Sequence, residues 1–366
     1  DIEKATEFLL KDILNKGSDD NITLQIAKIC EIDTENAYEE IIKDTLIAPI
    51  KDLPKAGDVI DGFHILRTIS SSARSHIFLA EDPQGSHVVM KFPSVDLQES
   101  SDYIRRFIME EWICKRLSSP HILGSIEAPV QRSQLYTISE WVSGQTLRQW
   151  MRDNPKPSLQ DVRDILEQII QGLRHFHRKE MLHQDLRPEN IMIDKNGIVK
   201  IIDFGSTTIA GIQETSPLFD DDQILGTVQY SAPEYFLGYG GNKTSDLYAI
   251  GVIAYEMLTG ELPYGVKTAH VRNRKDLSKL VFKSTLYTKD PLPDWIEYCL
   301  MKATHVDSHK RYQNFSEFLS DFKKPSPIFK QRTMAPFIER NPVVFWKLTT
   351  LFFALSTLGV LFFTSQ

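Results

Sequence analysis

Two short stretches of the chain carry residues whose types and spacing could perform phosphoryl transfer. The first reads MLHQDLRPEN over residues 181–190, and the second reads IIDFG over residues 201–205. Asp185 and Asn190 lie five residues apart, and Asp203 follows thirteen residues after Asn190. Transfer of a phosphoryl group needs oxygen ligands that hold magnesium and a carboxylate that orients the attacking hydroxyl group. These three side chains can supply both.

Together with SAPE at residues 231–234, these stretches resemble the signature of the protein kinases in order and spacing. The resemblance implies that ATP is the phosphoryl donor and that Asp185 accepts or orients the proton of the substrate hydroxyl group. It also implies that Asn190 and Asp203 ligate Mg²⁺, with Mn²⁺ as an alternative. A single Asp or Asn is usually a solvated surface residue, but that interpretation leaves the shared order and spacing unexplained.

Two further elements must position the nucleotide opposite this loop. The run VVMK at residues 88–91 resembles the kinase strand whose lysine pairs with the α- and β-phosphates, which assigns that role to Lys91. A helical stretch begins at Arg106 and ends near Leu117. We assign the carboxylate partner of Lys91 to Glu110 rather than Glu111, by its spacing from the apolar residues at either end of that helix.

The resemblance continues through the rest of a complete kinase domain, residues 58–323. SEWV at residues 139–142 resembles the hinge that receives adenine, which implies contacts from Glu140 and Val142. Asp246 resembles the aspartate that braces the catalytic loop, and Arg311 resembles the arginine that pairs with Glu234. The implied fold class is α+β: a bilobal protein-kinase fold with a β-rich N-lobe, an α-helical C-lobe and a C-terminal transmembrane helix.

The loop that should cover the phosphates departs from the family. Its three glycines are replaced by Ser70, Ser72 and Ser75, and Ile77 follows at the usual apolar position. Glycine lets a backbone approach phosphate and adopt positive φ at little cost, whereas serine keeps the N–H donors with a steric cost. The alternative is a pseudokinase that regulates a fused metal-dependent phosphatase or docks a partner.

Two positions in the catalytic loop also differ from most kinases. Gln184 stands where an arginine usually pairs with a phosphorylated loop, and a neutral amide cannot make that charge-assisted contact. Arg187 replaces the lysine common in Ser/Thr kinases. It remains a cation near the transferred phosphate, so the resemblance favours protein substrates that carry Ser or Thr.

Composition restricts the class of protein and its compartment. The chain has 366 residues, 42% of them hydrophobic, and a formal net charge of −7. That charge argues against nucleic-acid binding, because phosphate backbones select basic surfaces. The three cysteines are scattered, which suits a reducing compartment. The chain begins with Asp1 rather than Met, so we expect a processed product or a fragment.

Residues 1–35 resemble the C-terminal end of a type 2C metal-dependent phosphatase. A helix-like stretch over residues 3–14 precedes GSDDNIT at residues 17–23, and a strand-like run follows. The resemblance makes Asp20 a former metal ligand, although an ordinary turn explains the same residue types. One carboxylate cannot hold a two-metal site, so we expect no phosphatase activity from this chain. Residues 36–57 form a linker.

The C-terminal residues have the composition of a membrane anchor. Residues 348–364 contain no charge, and a helix over residues 343–364 would be about 33 Å long, enough for a hydrocarbon core of about 30 Å. Basic residues in the juxtamembrane linker 324–342 predict that the kinase domain lies in the cytoplasm, at the inner membrane. The alternative is a buried terminal helix. The oligomeric state is not predicted.

Overall fold

The computed structural model describes residues 2–16, 49–129, 131–209, 229–271, 273–286, 288, 290–325, 345–353 and 357. The chain divides into two compact units, residues 1–47 and residues 48–366. In the first unit, helix α1 (Ile2–Asn15) confirms the helix predicted for residues 3–14. The proposed metal ligand Asp20 and the strand-like run after it lie outside the described residues.

The second unit begins with an antiparallel five-stranded sheet that forms the N-lobe. Its strands are hydrogen-bonded in sequence order: β1 (Val59–Ile60), β2 (Phe63–Ser71), β3 (Ser75–Glu81), β4 (His87–Pro93) and β5 (Thr137–Glu140). Alternate residues of β4 are buried, because successive side chains of a strand point to opposite faces. Val88, Met90 and Phe92 enter the apolar core, which places Lys91 on the other face.

One long helix crosses this sheet. Helix α2 (Ser101–Arg116) begins five residues before the predicted start at Arg106, because the Ser100 side chain accepts a hydrogen bond from the Tyr103 N–H group and caps the helix. Its end agrees with the prediction, since Leu117 has extended backbone angles. Ile104, Phe107 and Ile108 are buried, which fixes the rotation of the helix.

Part of the predicted linker already contacts the N-lobe. The carbonyl oxygen of Pro49 accepts a hydrogen bond of 2.9 Å from the Leu135 N–H group, and Leu53 packs against the core of the sheet. The Gly57 N–H group donates to the Ile65 carbonyl oxygen. The boundaries predicted for the linker and the kinase domain, 36–57 and 58–323, stay predictions.

The C-lobe is mainly helical, so the observed fold is the bilobal α+β arrangement that was expected. Its helices are α3 (Leu147–Asp153), α4 (Leu159–Arg178), α5 (Pro233–Phe236), α6 (Lys243–Thr259), α7 (Arg274–Leu277), α8 (Asp294–Ala303) and α9 (Phe315–Lys323). Helix α6 is buried on almost every side and contacts α4 and α8. A helix that is apolar all round belongs in a core, so α6 is the central support of the lobe.

Two small sheets lie at the start of the C-lobe and carry the loops of interest. One contains β6 (Gly144–Thr146), β8 (Ile191–Asp194) and β9 (Val199–Ile201), and the other pairs β7 (Met181–Leu182) with β10 (Thr208–Ile209). Strands β7 and β8 enclose the stretch that contains Asp185 and Asn190. Strand β9 ends two residues before Asp203, so the sheet pairing brings both stretches together.

Residues 345–353 and residue 357 are helical. Trp346, Phe352 and Phe353 are each more than 60% exposed. Among the described residues, no helix combines the length and apolar character needed to cross a bilayer. Most of the predicted anchor, residues 343–364, lies outside the described part of the chain, so the transmembrane helix stays a prediction.

Candidate active site

Lys91 of β4 reaches across to helix α2 and forms an ion pair with Glu110. The Lys91 Nζ atom lies 2.6 Å from Glu110 Oε2, and both side chains are at least four-fifths buried. Burial alone would lower the pKa of Lys91, but Glu110 and Asp203 raise it above its ordinary value. Lys91 is therefore held as a cation at the face of the sheet that the sequence assigns to the nucleotide.

The neighbouring carboxylate, Glu111, points to a different partner. Arg132 donates to both of its oxygens, with N···O distances of 2.9 and 2.6 Å, and also to the Tyr136 carbonyl oxygen. Glu111 is 7% exposed, and its pKa is lowered by Arg132 and Lys115 in spite of its burial. The two carboxylates thus tie α2 to the sheet at two separate points, and the assignment of Glu110 as the partner of Lys91 agrees with the geometry.

The catalytic loop between β7 and β8 is hydrogen-bonded to helix α6 through Asp246. Asp246 accepts hydrogen bonds from the backbone N–H groups of His183 and Gln184, and His177 Nε2 lies 2.7 Å from the same carboxylate. Gln184 has a φ of 66°, a left-handed conformation that a non-glycine residue rarely adopts. The buried Asp246 carboxylate therefore holds the loop in a conformation that it would not adopt alone.

Asp185 is fixed within this loop by Asn190. The Asn190 amide nitrogen donates to the Asp185 carbonyl oxygen at 2.8 Å and to its carboxylate at 3.0 Å. Burial and the nearby Asp203 raise the pKa of Asp185 to about 7, although Arg187 and Asn190 oppose the shift. A carboxylate with this pKa can take a proton from a hydroxyl group and release it near neutral pH.

Asp203 lies beside both Lys91 and the catalytic loop. Its carboxylate accepts a hydrogen bond of 3.0 Å from the Gly205 N–H group. Burial alone would raise the pKa of Asp203, but Lys91 and the Gly205 N–H group lower it below the ordinary value. The Phe204 backbone also hydrogen-bonds Glu110, so this segment is joined to the Lys91 pair.

The donor set fits a magnesium ion held partly by protein. Asn190 uses its amide nitrogen on Asp185, which leaves its oxygen as the atom for a metal, and Asp203 is ionised. Across the described residues, no three His, Cys, Asp or Glu side chains form a cluster that could bind a metal unaided. Mg²⁺ characteristically takes one or two protein ligands together with phosphate oxygens and water. Asn190 and Asp203 fit that arrangement, and their roles as Mg²⁺ ligands stay predictions.

Comparison with known proteins identifies the family of this site. The family described as "Protein kinase domain" matches residues 63–324. The chain belongs to the protein kinase family. Serine/threonine-protein kinase PrkC of Bacillus subtilis is 29% identical over 262 residues, which cover 71% of this chain and 40% of the relative. Serine/threonine-protein kinase PknA of Mycobacterium tuberculosis is 29% identical over 233 residues, 61% of this chain and 53% of the relative. The chain therefore spans about two fifths to one half of the length of these relatives.

The loop of this kinase that is predicted to cover the phosphates is a hairpin closed by one serine. The Ser72 hydroxyl group accepts hydrogen bonds from the N–H groups of Arg74 and Ser75, at 3.3 and 3.1 Å, and donates to the Ser75 carbonyl oxygen. None of residues 70–75, all of which the structure describes, has a positive φ. The backbone strain expected from replacing glycine by serine is therefore absent from this conformation. Ser70 and Ser75 flank the turn on β2 and β3.

Of the remaining positions predicted for the nucleotide, Ile77 shares the face of the sheet that carries Lys91, whereas Glu140 pairs with Val88 and lies on the other face. Ile77 pairs directly with Lys91 across β3 and β4, so the two side chains lie on one face. The Glu140 carboxylate accepts from the Gly124 N–H group and from Lys200, and the Glu140 N–H group donates to the Gly124 carbonyl oxygen. Val142 is buried. The predicted roles of Ser70, Ser72, Ser75, Ile77, Glu140 and Val142 stay predictions.

A second set of contacts joins the segment around Arg187 to helices of the C-lobe. Arg187 Nε lies 3.7 Å from Glu189, and Glu189 also pairs with Arg148 at 2.8 Å. Arg148 continues to Glu256 at 2.7 Å and to the hydroxyl group of Tyr230. These contacts connect helices α3 and α6 with the loop that carries Asp185.

The kinase also contains the buried ion pair that was expected between Glu234 and Arg311. The two terminal guanidinium nitrogens of Arg311 each lie 2.7 Å from a Glu234 oxygen. The Arg311 side chain is 0% exposed and uses its other N–H groups on the carbonyl oxygens of His305, Thr244 and Val306. This pair anchors the SAPE segment to the C-lobe.

Three residues of the kinase site were not identified from the sequence: Tyr103, Arg132 and Arg148. Each acts through a contact with a residue more than twenty positions away along the chain. No local pattern marks such contacts. The cap at Ser100, in contrast, had a sequence signal that could have placed the start of α2 correctly, because serine is a preferred N-cap residue.

Proposed function

We propose that the chain is an ATP-dependent Ser/Thr protein kinase that transfers the γ-phosphate to protein hydroxyl groups. The observation that carries the proposal is the Lys91–Glu110 ion pair of 2.6 Å. Glu110 is at the same time hydrogen-bonded by the backbone of Phe204, next to Asp203. One carboxylate thus holds the phosphate-binding lysine and the metal-binding segment in register, which phosphoryl transfer requires.

Each residue of the site has a distinct role in the proposed reaction. Lys91 orients the α- and β-phosphates, and Arg187 offers a positive charge near the group in transfer. Asn190 and Asp203 hold Mg²⁺, which when bound supplies neutralising charge to the phosphates. Asp185 orients the substrate hydroxyl group and accepts its proton. Rate acceleration arises from positioning and charge complementarity, because no side chain needs to form a covalent intermediate.

The direct test is an assay of the purified chain with labelled ATP and a generic protein substrate. We expect phosphoserine and phosphothreonine but no phosphotyrosine after acid hydrolysis. Lys91→Met serves as the control for contaminating kinases, and it should lose most of the activity. Phosphotyrosine as the main product, or activity that persists fully in the Lys91→Met protein, would contradict the proposal.

The pseudokinase alternative depends on the serine loop and is weakened by the rest of the site. Lys91, Glu110, Asp185, Asn190 and Asp203 are all present and in mutual contact or close electrostatic interaction. Calorimetry of the purified chain with Mg·ATP separates the two possibilities. Absence of heat at millimolar nucleotide would favour the pseudokinase.

Ser72 should weaken ATP binding because its hydroxyl group occupies two backbone N–H donors of the phosphate loop. We predict that Ser72→Gly and Ser72→Ala each lower the Michaelis constant for ATP by about threefold to tenfold, the equivalent of roughly one hydrogen bond. Ser71→Ala is the matched control, since the Ser71 hydroxyl group contacts His76 Nδ1. An unchanged or higher constant in both Ser72 variants, measured by steady-state kinetics, would refute this role.

We also propose that residues 343–364 anchor the kinase to the cytoplasmic membrane as a single C-terminal helix, with the lipid bilayer as a partner. The support is the uncharged run 348–364 and the exposed aromatic side chains of Trp346, Phe352 and Phe353. Full-length protein should stay with membranes through a carbonate wash, and a truncation after Lys323 should be released while keeping its activity. Release of the full-length chain by that wash would contradict the anchor.

We propose, from the sequence alone, that residues 1–35 are the C-terminal end of a type 2C phosphatase domain. The proposal depends on the stretch GSDDNIT at residues 17–23. Its test is the coding sequence that precedes Asp1. Further metal-binding aspartates of that phosphatase family upstream would support the fusion, and an unrelated sequence would remove it.

A further inference from the structure

The peptide bond between Arg74 and Ser75, in the loop that covers the phosphates, is held at both ends. Its carbonyl oxygen accepts a hydrogen bond from the Tyr103 hydroxyl group of helix α2 and another, of 2.8 Å, from the Ser94 N–H group. Ser94 N–H also lies 3.2 Å from the Tyr103 oxygen. On the opposite side, the Ser75 N–H group donates to Ser72 Oγ at 3.1 Å.

The orientation of this peptide follows from the planarity of the bond. In a trans peptide the C=O and the N–H groups point in opposite directions. Because Tyr103 and Ser94 draw the Arg74 carbonyl group toward α2 and the end of β4, the Ser75 N–H group must face the interior of the hairpin. There its observed acceptor is Ser72 Oγ, which a phosphate oxygen of ATP would have to replace.

Tyr103 shares a face of α2 with the residue that holds Lys91. Glu110 follows Tyr103 by seven residues, which is close to two helical turns, so the two side chains project in nearly the same direction. Glu110 fixes Lys91 and Tyr103 fixes the loop. A single helix therefore sets the position of the two groups that would contact the phosphates.

We propose that Tyr103 is a positioning residue for the nucleotide: its hydroxyl group holds the Arg74–Ser75 peptide so that the Ser75 N–H group can exchange Ser72 Oγ for a phosphate oxygen of ATP. The inference rests on the proposed function, because it concerns how the same site binds its nucleotide. The ring of Tyr103 packs beside Phe107, with centroids 6.5 Å apart, so the helix keeps its packing when only the hydroxyl group is removed.

The test compares a phosphorylated ligand with an unphosphorylated one. The full 366-residue chain and its Tyr103→Phe variant are titrated with Mg·ATP and with adenosine by calorimetry. We expect Tyr103→Phe to weaken Mg·ATP binding by about threefold to tenfold and to leave adenosine binding unchanged, because adenosine has no phosphate to receive the Ser75 N–H group. Tyr136→Phe is the matched control: it removes a tyrosine hydroxyl group of the same lobe that bonds Asp61 instead, and it should change neither affinity.

Two kinds of result would overturn the inference. One is equal loss of affinity for both ligands in Tyr103→Phe, which would mean that the hydroxyl group only stabilises the lobe. The other is an unchanged or improved affinity of Tyr103→Phe for Mg·ATP. A wild-type chain that binds Mg·ATP no more tightly than adenosine would also overturn the inference, because the loop would then make no phosphate contact. Failure of the proposed function is read separately, from the absence of phosphate transfer to protein by the wild-type chain in the labelled-ATP assay.

Discussion

Replacing Asp185 by asparagine should lower the turnover number of the chain by about 100- to 10,000-fold, the range that a general base contributes. The shape of the site should survive, because the new amide can still accept a hydrogen bond from the Asn190 amide nitrogen, which now lies 3.0 Å from the carboxylate. What is lost is the group that orients and deprotonates the substrate hydroxyl. The measurement is steady-state phosphorylation of a protein substrate, with Mg·ATP affinity determined in parallel.

Asp164→Asn is the control for this experiment. Asp164 lies on the exposed side of α4, where it accepts a hydrogen bond from Gln160, and its replacement should leave turnover unchanged. Asp185→Asn protein that retains wild-type turnover would show that Asp185 has no catalytic role. Loss of nucleotide binding together with activity would instead indicate a structural role for the carboxylate.

Arg311→Met should lower the free energy of unfolding by about 3–5 kcal/mol, because it leaves the buried Glu234 carboxylate without its cation. All five N–H groups of Arg311 donate hydrogen bonds in the folded chain, and water cannot replace these bonds without a cost in free energy. Urea unfolding followed by fluorescence gives the free energy. The control is Lys323→Met, which removes a half-exposed partner of Glu167 and should cost at most about 1 kcal/mol.

The loss should also depend on pH with a definite sign. Burial would raise the pKa of Glu234, but Arg311 lowers it below the ordinary value of 4.5. A carboxylate with a lowered pKa stabilises the fold above its unfolded value, and that contribution is lost as the pH falls through the folded value. In Arg311→Met burial instead raises the pKa of Glu234, so the difference between wild type and variant should be full at neutral pH and shrink as the pH falls toward 4.5 and below. A difference that grows toward acid pH would contradict the ion-pair explanation.

The sequence predicted those parts of the site that lie within short strings of fixed order. Asp185, Asn190 and Asp203 meet because two neighbouring strands, β8 and β9, bring their ends together. Glu110 could be chosen over Glu111 because one residue turns a helix by about 100°. Asp246 and the Glu234–Arg311 pair were likewise marked by local motifs, and the structure shows the contacts of both.

The remaining features depend on residues that are distant in sequence and carry no motif. The partner of Glu111 is Arg132, in a loop whose path is set by packing against the sheet. The ion pairs of Arg148 with Glu189 and Glu256 join segments 41 and 108 residues apart. The conformation of the serine loop was also unpredictable, because the hydroxyl group of Ser72 could have faced solvent instead of the hairpin. Such choices are decided by tertiary packing, which no local pattern encodes.

The two ion pairs that helix α2 forms through Glu110 and Glu111 have a consequence for inhibitor discovery. Lys91 holds Glu110 and Arg132 holds Glu111, so sliding the helix outward would separate two largely buried pairs at once. Breaking even one buried pair is costly. Small molecules that wedge this helix away from the sheet should therefore be weak ligands. Screening should favour compact compounds that leave this helix in place.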